Sequence, residues 1–503
     1  MVLPLLSGVL HYISFFPGFW PLSFVALIPI LLFLREVSST RRVFLGWLVY
    51  ALVFYPLSAL YIFEPLFILS GVVLSLIAPT LVSMGVKFRG SSLFMVWCAT
   101  SIVLSEYLIA RFALFPSFIA MAGNVLADSP FIGLSRYGGV VFLSVIVLAV
   151  NVLVSLAYVS VRKRNGMAER VKSSLVYASA GVFFLLALGT VSAFAPVHQL
   201  PGGEKILRVA VVSTGDTFDD RSSELDSLAN ADEHVWMRSV RSYIQDRVSE
   251  VESALIPEDP DIVFLPEDML DFELRGIPDL RAESALGVTN AGPLLSEYSD
   301  LARRLNSAVV ATLTIFDPSG EKYNSSILIG KDGEFLSVYN KYLLTNFSET
   351  WPFGSWIPPY WRWYARDLGL EKRAEAFAGW FPAHRYARAG DPYVPLEWNG
   401  TRFGTAICSE GQFPIALGSF KDSGAAFIAH ISSNTWVPNF RAQYLALVDN
   451  LRRIEAVEFS VPIFISGKGE SPGVTLPDGT LISGALTGGR VGILIQTIPI
   501  SAR

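Results

Sequence analysis

Uncharged apolar runs fill residues 1–195 and then stop, and no other feature constrains the fold as tightly. They fall at 20–34, 43–62, 66–86, 92–110, 137–161 and 173–195, with a shorter run at 2–16. About 20 apolar residues cross the hydrocarbon core of a bilayer as a helix. The runs 2–16 and 20–34 are marginal on that measure, and Pro17-Gly18 between them predicts a tight hairpin of two short helices. About seven membrane segments are therefore expected, one bilayer thickness each at most. With only 17% charged residues and a mean hydropathy of +0.45, the chain as a whole is too apolar for a water-soluble protein.

Length supports a division, since 503 residues exceed one ordinary core. The expected organisation is a transmembrane helical domain over 1–195 and a linker over 196–204 containing Pro196, Pro201, Gly202 and Gly203. A catalytic α/β domain then occupies 205–503. Charge divides the same way: residues 1–195 carry 12 Lys+Arg against 5 Asp+Glu, which leaves the first part at +7 and the second at −12. An acidic soluble domain argues against nucleic acid, whose binding needs a basic face.

Basic residues cluster in alternate loops: Arg35, Arg41 and Arg42; then Lys87 and Arg89; then Arg162, Lys163, Arg164, Arg170 and Lys172. Basic loops stay on the cytoplasmic side. The last span thus exits outward, and the catalytic domain is expected to be extracytoplasmic. The N-terminus lacks the charged leader and small-residue cleavage site of a removable signal peptide, and reads as a retained first membrane segment. Within the fifth run, Glu106 is costly in hydrocarbon and marks a buried pair or a functional site; Arg111 is its expected partner. The apolar stretch 112–136, broken by Pro116, Gly123 and Pro130, is expected to lie along the outer interface.

The second half alternates strand-like and helix-like runs. Strands are expected at 206–213, 261–265, 308–316, 325–330, 334–339, 402–407, 425–431 and 461–466, and helices at 232–253, 292–305 and 439–458. Such alternation predicts a layered α/β fold whose strand ends carry the site. Eleven aromatic residues lie between Trp351 and Tyr386, including Trp356, Trp361 and Trp363. Two readings are open there: a lipid-facing lid at the bilayer interface, where such rings concentrate, or a long loop packed on its own domain.

Three chemistry-bearing residues follow strands. Glu267 ends DIVFLPED, Lys341 ends GEFLSVYNK, and Cys408 ends RFGTAIC as the domain's sole cysteine. Cys98 lies in an apolar run, so the two thiols are not expected to pair, and a lone extracytoplasmic thiol reads as reactive. Cysteine attacks as thiolate and needs a base or cation nearby. Glu267 suits the base, taking the thiol proton and later that of an incoming amine. Lys341 suits stabilisation of a tetrahedral oxyanion. Ser409-Glu410-Gly411 is a turn-like stretch able to present sulfur and a backbone N–H together. A Cys–His arrangement also stays open, with His234, His384 and His430 in the domain.

The order Glu, Lys, Cys on an α/β sandwich resembles the nitrilase, or carbon–nitrogen hydrolase, superfamily. With a multi-span membrane domain in front, the chain resembles the apolipoprotein N-acyltransferase family over nearly its whole length. The likeness is carried by FPGFWPLSFVALIPIL, SEYLIAR around Glu106, LPED, NKYLLTNFSE, ICSE, HISSNTW and LRRIEAVE. It departs from the family's pattern at Ser409, where Tyr is usual, at Tyr342-Leu343-Leu344, at Ser432-Ser433-Asn434, at Ser213-Thr214-Gly215 and around Lys468-Gly469-Glu470-Ser471. It also stops at Arg503 without the closing membrane helix of typical members.

The resemblance implies an α-helical membrane bundle followed by a nitrilase-like α-β-β-α sandwich in the bacterial inner membrane, its catalytic domain periplasmic. It implies passage of a phospholipid acyl chain to Cys408 as a thioester, then to the α-amino group of a diacylglyceryl-cysteine lipoprotein. Glu267 is the implied general base, Lys341 the oxyanion stabiliser and Cys408 the nucleophile. Glu349 and Glu410 are supporting residues, Trp436 joins Trp356, Trp361 and Trp363 as a substrate or lid residue, and Trp436, Arg452 and Glu455 are retained positions. No cofactor or metal is expected, and the chain is expected to act as a monomer. Two alternatives stay open: a membrane-anchored amidase using water as acceptor, and a catalytically silent lipoprotein-binding relative.

Overall fold

The computed structural model describes residues 1–58, 65–89, 91–113, 116–163, 184–192, 205–219, 233–267, 292–316, 321–346, 349–350, 387–437 and 440–500, with isolated positions between them. The aromatic stretch 351–386, with Trp356, Trp361 and Trp363, lies outside the described residues, as do His384 and the linker 196–204.

The chain opens with α1 (Val2–Ile13), and a turn through Gly18, at φ +80, brings it back. The return strand of this hairpin is helical but broken: α2 (Ser23–Ala26) and α3 (Ile28–Glu36) meet at Leu27. Pro29, in the first turn of α3, needs no N–H there. Fully buried Asn151 repairs the break, accepting from the Leu27 N–H at 2.9 Å and donating to the Ser23 carbonyl at 2.8 Å. Leaving such backbone groups unsatisfied in an apolar interior costs about 1–3 kcal/mol each.

Next come α4 (Thr40–Ser58), α5 (Pro65–Ser75), α6 (Ile77–Met84), α7 (Ser92–Phe112) and α8 (Gly139–Lys163). Among the described residues three helices are long and apolar enough to cross a membrane: Ile68–Phe88, Ser92–Phe112 and Gly139–Val161. The hairpin helices are short, as their lengths predicted.

Between α7 and α8, residues 118–137 form three short 3₁₀ turns: Phe118–Ala120, Ala122–Asp128 and Ile132–Tyr137. Most of the first two are buried, which differs from the expected interfacial stretch. Gly123 explains part of this, since a Cβ there would stand 2.2 Å from the Val140 carbonyl oxygen and 2.4 Å from the Ser144 nitrogen. Only glycine permits that approach to α8.

The second half is a sandwich. One sheet runs β5 (Phe335–Asn340), β4 (Lys322–Ile329), β3 (Ala308–Phe316), β2 (Ile262–Phe264), β1 (Lys205–Thr214), β12 (Val491–Ile500). The other runs β6 (Leu396–Trp398), β7 (Thr401–Ile407), β8 (Phe427–Ser433), β9 (Ile463–Lys468), β10 (Gly473–Thr475), β11 (Leu481–Ser483). They join through one pair, Thr214 with Lys468. Alternation along β1 sorts its faces: Val209 and Val211 enter the inter-sheet core, whereas Ala210 and Val212 meet α9 (Glu233–Leu255) and α10 (Gly292–Leu305). Across the core, the Phe264 ring stands edge-on to Phe403 at 5.4 Å and Phe427 at 6.0 Å. Outside the second sheet lie α11 (Pro414–Asp422) and α12 (Arg441–Phe459). The layers are therefore α-β-β-α.

The terminal run 491–500, not read as a strand above, pairs with β1 over its full length, antiparallel. The short strands β6, β10 and β11 and helix α11 were also not foreseen.

α12 joins the two halves. Asn124 donates to the Leu447 carbonyl at 2.9 Å, and Arg453 pairs with Asp128 while donating to the Gly479 carbonyl at 2.8 Å. One continuous buried apolar cluster runs from the membrane helices through α12 into the sandwich.

Candidate active site

β1, β2 and β3 run parallel, as do β7, β8 and β9, and antiparallel β4 returns β5 to the direction of β3. Glu267, Lys341 and Cys408 thus leave their strands at the same carboxyl edge of the sandwich. This is where layered α/β folds place their ligands.

Glu267 is 5% exposed. Its carboxylate accepts from Asn324 Nδ2 at 3.1 Å and from the Ser433 N–H at 3.0 Å, and the Cys408 thiol donates to it. Lys341, 1% exposed, places Nζ 2.7 Å from Glu349 Oε2 and donates to Thr345 Oγ1 at 3.3 Å. Burial pulls this ammonium down, but the neighbouring carboxylates, Glu349 foremost, hold it above the usual lysine range. Burial likewise pushes the Glu349 carboxyl up, and Lys341, with hydrogen bonds from the Thr345 N–H and Asn324, brings it below the usual value. The pair is therefore fully charged near neutral pH.

Cys408 opens a short 3₁₀ turn, Cys408–Gln412, with its backbone at φ +51. A side chain in that region costs roughly 1–3 kcal/mol, and such strain collects at functional sites. Burial pushes the thiol well up; Glu267 raises it further and Lys341 opposes. The resting group is thus a neutral thiol hydrogen-bonded to a carboxylate, not a standing thiolate. A thiol in that state could attack only with proton transfer to a neighbouring base.

Glu410 binds no reacting atom. One oxygen accepts from Tyr339 Oη at 2.7 Å and from the N–H groups of Tyr342 and Leu343 at 3.0 Å, and the other accepts from the Ile407 N–H at 3.0 Å. Four donors at one carboxylate tie the segment after Lys341 to the end of β7. Burial still outweighs Lys341 and these donors, and the carboxyl sits above its usual value. Ser409 shares a hydrogen bond with Thr345 at 2.8 Å. His430 meets Cys408 only at the backbone carbonyl, at 2.8 Å, and so is not placed as its base.

Glu106 does not pair with Arg111. Its carboxylate accepts from the Ala122 N–H at 3.2 Å, and the Arg111 guanidinium lies 6.0 Å from the Phe112 ring centre. A broken 3₁₀ segment has spare amides, and the nearest one takes the role assigned to the arginine. Trp436 is 41% exposed and edge-on to Tyr444. Asn324, which donates to both Glu267 and Glu349, carries no local signal: in YNSS it reads as any strand polar residue.

A carboxylate, a lysine and a thiol at one edge of an α-β-β-α sandwich, packed on apolar helices, define a nitrilase-type domain fused to a membrane domain. Comparison agrees at both ends. Residues 256–498 match the carbon–nitrogen hydrolase family model, and residues 7–153 match that of the apolipoprotein N-acyltransferase N-terminal domain. An apolipoprotein N-acyltransferase of Geobacter metallireducens is 24% identical over 489 residues, covering 92% of this chain and 82% of its own. Those of Aquifex aeolicus, 23% identical over 249 residues, and Agrobacterium fabrum, 28% over 240, each align with about half of this chain, 49% and 48%. The matches span 47% and 40% of those two relatives' lengths. The chain belongs to the apolipoprotein N-acyltransferase family of the nitrilase superfamily.

Proposed function

We propose that the chain moves an acyl group from a membrane phospholipid to the α-amino group of a diacylglyceryl-cysteine at a lipoprotein N-terminus. One observation supports this reading above the others: Glu267, Lys341 and Cys408 stand at one carboxyl edge of a domain that shares its apolar core with membrane helices. In the first step Cys408 Sγ attacks the ester carbonyl as Glu267 takes its proton. The oxyanion forms beside Lys341 and collapses, and the departing lysophospholipid oxygen takes the proton from Glu267. In the second step the amine attacks the thioester and passes its proton to Glu267, and the sulfur leaves and is reprotonated. Removal of an oxyanion donor typically costs 10²–10³ in rate.

The same reading places the enzyme in the bacterial inner membrane with this domain in the periplasm, supported by the alternation of basic loops. An impermeant thiol reagent tests the orientation: cysteine probes at 215–219 should label from outside intact cells, and probes at 162–163 should not.

Mass spectrometry of the purified protein after incubation with phospholipid tests the chemistry. A mass increase on Cys408, absent in Cys408→Ala and discharged by a diacylglyceryl-cysteine peptide, is the expected result. Discharge by water alone would make the protein an amidase-like hydrolase. No adduct would make it a binding relative.

A further inference from the structure

The nucleophile's backbone has a fastening that the two-step scheme does not use. His430 on β8 lies beside Ala406 of β7 and is 2% exposed. Its Nε2 stands 2.8 Å from the Cys408 carbonyl oxygen, and its Nδ1 stands 2.8 Å from Arg452 Nε. A guanidinium only donates, so Nδ1 must offer a lone pair and the ring proton must sit on Nε2, aimed at Cys408. Arg452, 1% exposed on α12, is held in turn by Glu470 at 2.9 Å and Asp449 at 2.8 Å; Ser432 donates to the same Glu470.

A second observation places the ring independently. A Cβ on Gly411 would stand 2.3 Å from His430 Cε1 and Nε2 and 2.4 Å from Cδ2. The imidazole therefore lies against the turn that carries the sulfur, with arginine on its far edge. Burial and the Arg452 charge both disfavour a second proton, consistent with a ring that stays neutral.

We propose that His430 is a positioning residue for Cys408: its Nε2–H, oriented by Arg452, holds the Cys408 carbonyl and keeps the left-handed backbone that sets the sulfur between Glu267 and Lys341. The peptide plane is rigid, so fixing the carbonyl fixes how the turn leaves the nucleophile. No proton is transferred by the ring. The inference rests on the reading of Cys408 as nucleophile.

The full-length protein in detergent tests it with two probes, iodoacetamide alkylation of Cys408 and burst acylation by p-nitrophenyl butyrate. His430→Phe keeps ring volume and removes the donor, His430→Gln keeps a donor, and Gly411→Ala displaces the ring while His430 stays. Phe and Ala variants should acylate at least tenfold more slowly with KM within about twofold of wild type, and Gln should recover to within about threefold. A wild-type burst rate in the Phe or Ala variant, or a Gln variant as slow as Phe, would overturn the proposal. If the Phe variant does not fold, Gly411→Ala alone decides, by the same criterion. A wild-type protein that alkylates at Cys408 but never acylates would instead defeat the reading of function, and the alkylation ratios would still decide the role of His430.

Discussion

Lys341 Nζ lies 2.7 Å from Glu349 Oε2, with the lysine 1% exposed and the glutamate 11%. Eight residues apart in sequence, the two form a buried, charged pair next to the thiol. Breaking such a pair from one side is more damaging than its net worth, because the remaining charge is left uncompensated. Glu349→Gln should therefore lower kcat by about 10–100-fold with little change in KM, through a mobile and partly neutralised Lys341. Lys341→Arg should be nearly as inactive as Lys341→Ala, since a planar guanidinium does not fit a site made for a compact ammonium. Retention of more than about a tenth of the wild-type rate, about 1.4 kcal/mol of barrier, would show that generic positive charge suffices.

Asn324 donates one hydrogen bond to Glu267 at 3.1 Å and one to Glu349 at 2.7 Å. Hydrogen bonds to charged groups contribute about 1.5–3 kcal/mol. Asn324→Ala should slow single-turnover acylation of Cys408 by about tenfold or more while the protein still folds. An unchanged single-turnover rate would reduce Asn324 to packing.

Burial first, and then the Glu267 carboxylate, keep the Cys408 thiol protonated. Glu267→Gln should have two opposite effects. Thiolate formation, read from the pH profile of iodoacetamide alkylation, should move to lower pH because Lys341 then acts unopposed by that carboxylate. Acyl transfer should be lost, because nothing takes the proton during attack. If alkylation moves to higher pH instead, the carboxylate is not what keeps the thiol protonated.

Glu458 on α12 presses its carboxylate against Gly139 at the start of α8, and burial pushes its pKa from 4.5 to about 7. The folded protein binds a proton there that the unfolded chain releases, so this contribution to stability is full below about pH 4.5. It falls as pH rises through the window 4.5 to about 7. Glu458→Gln should raise the Tm at pH 8 more than at pH 5. Equal shifts at both pH values in thermal unfolding would place the carboxylate in water in the native state.

The sequence by itself determined the helical first part, the α/β layering of the second and the strand-end placement of Glu267, Lys341 and Cys408. Each rests on local pattern. Apolar length marks a helix able to cross lipid, and an apolar run closed by Glu267, Lys341 or Cys408 marks a strand whose end must face solvent or substrate. Even the turn of the hairpin was legible, in Pro17-Gly18. Tertiary structure decided which donors meet which acceptors. Asn324 reaches Glu267 across 57 residues and Ser433 reaches it across 166. The carboxylate of Glu106 found the Ala122 amide, not Arg111, because the chain folds back in a 3₁₀ turn. His430 reads in HISSNTW as one more strand residue, and becomes a fastening for Cys408 only once β8 lies beside β7 with α12 laid over both. Periodicity reports which face of an element is buried, but a hydrogen bond between distant segments depends on register and side-chain direction. Those exist only after the sheets have closed.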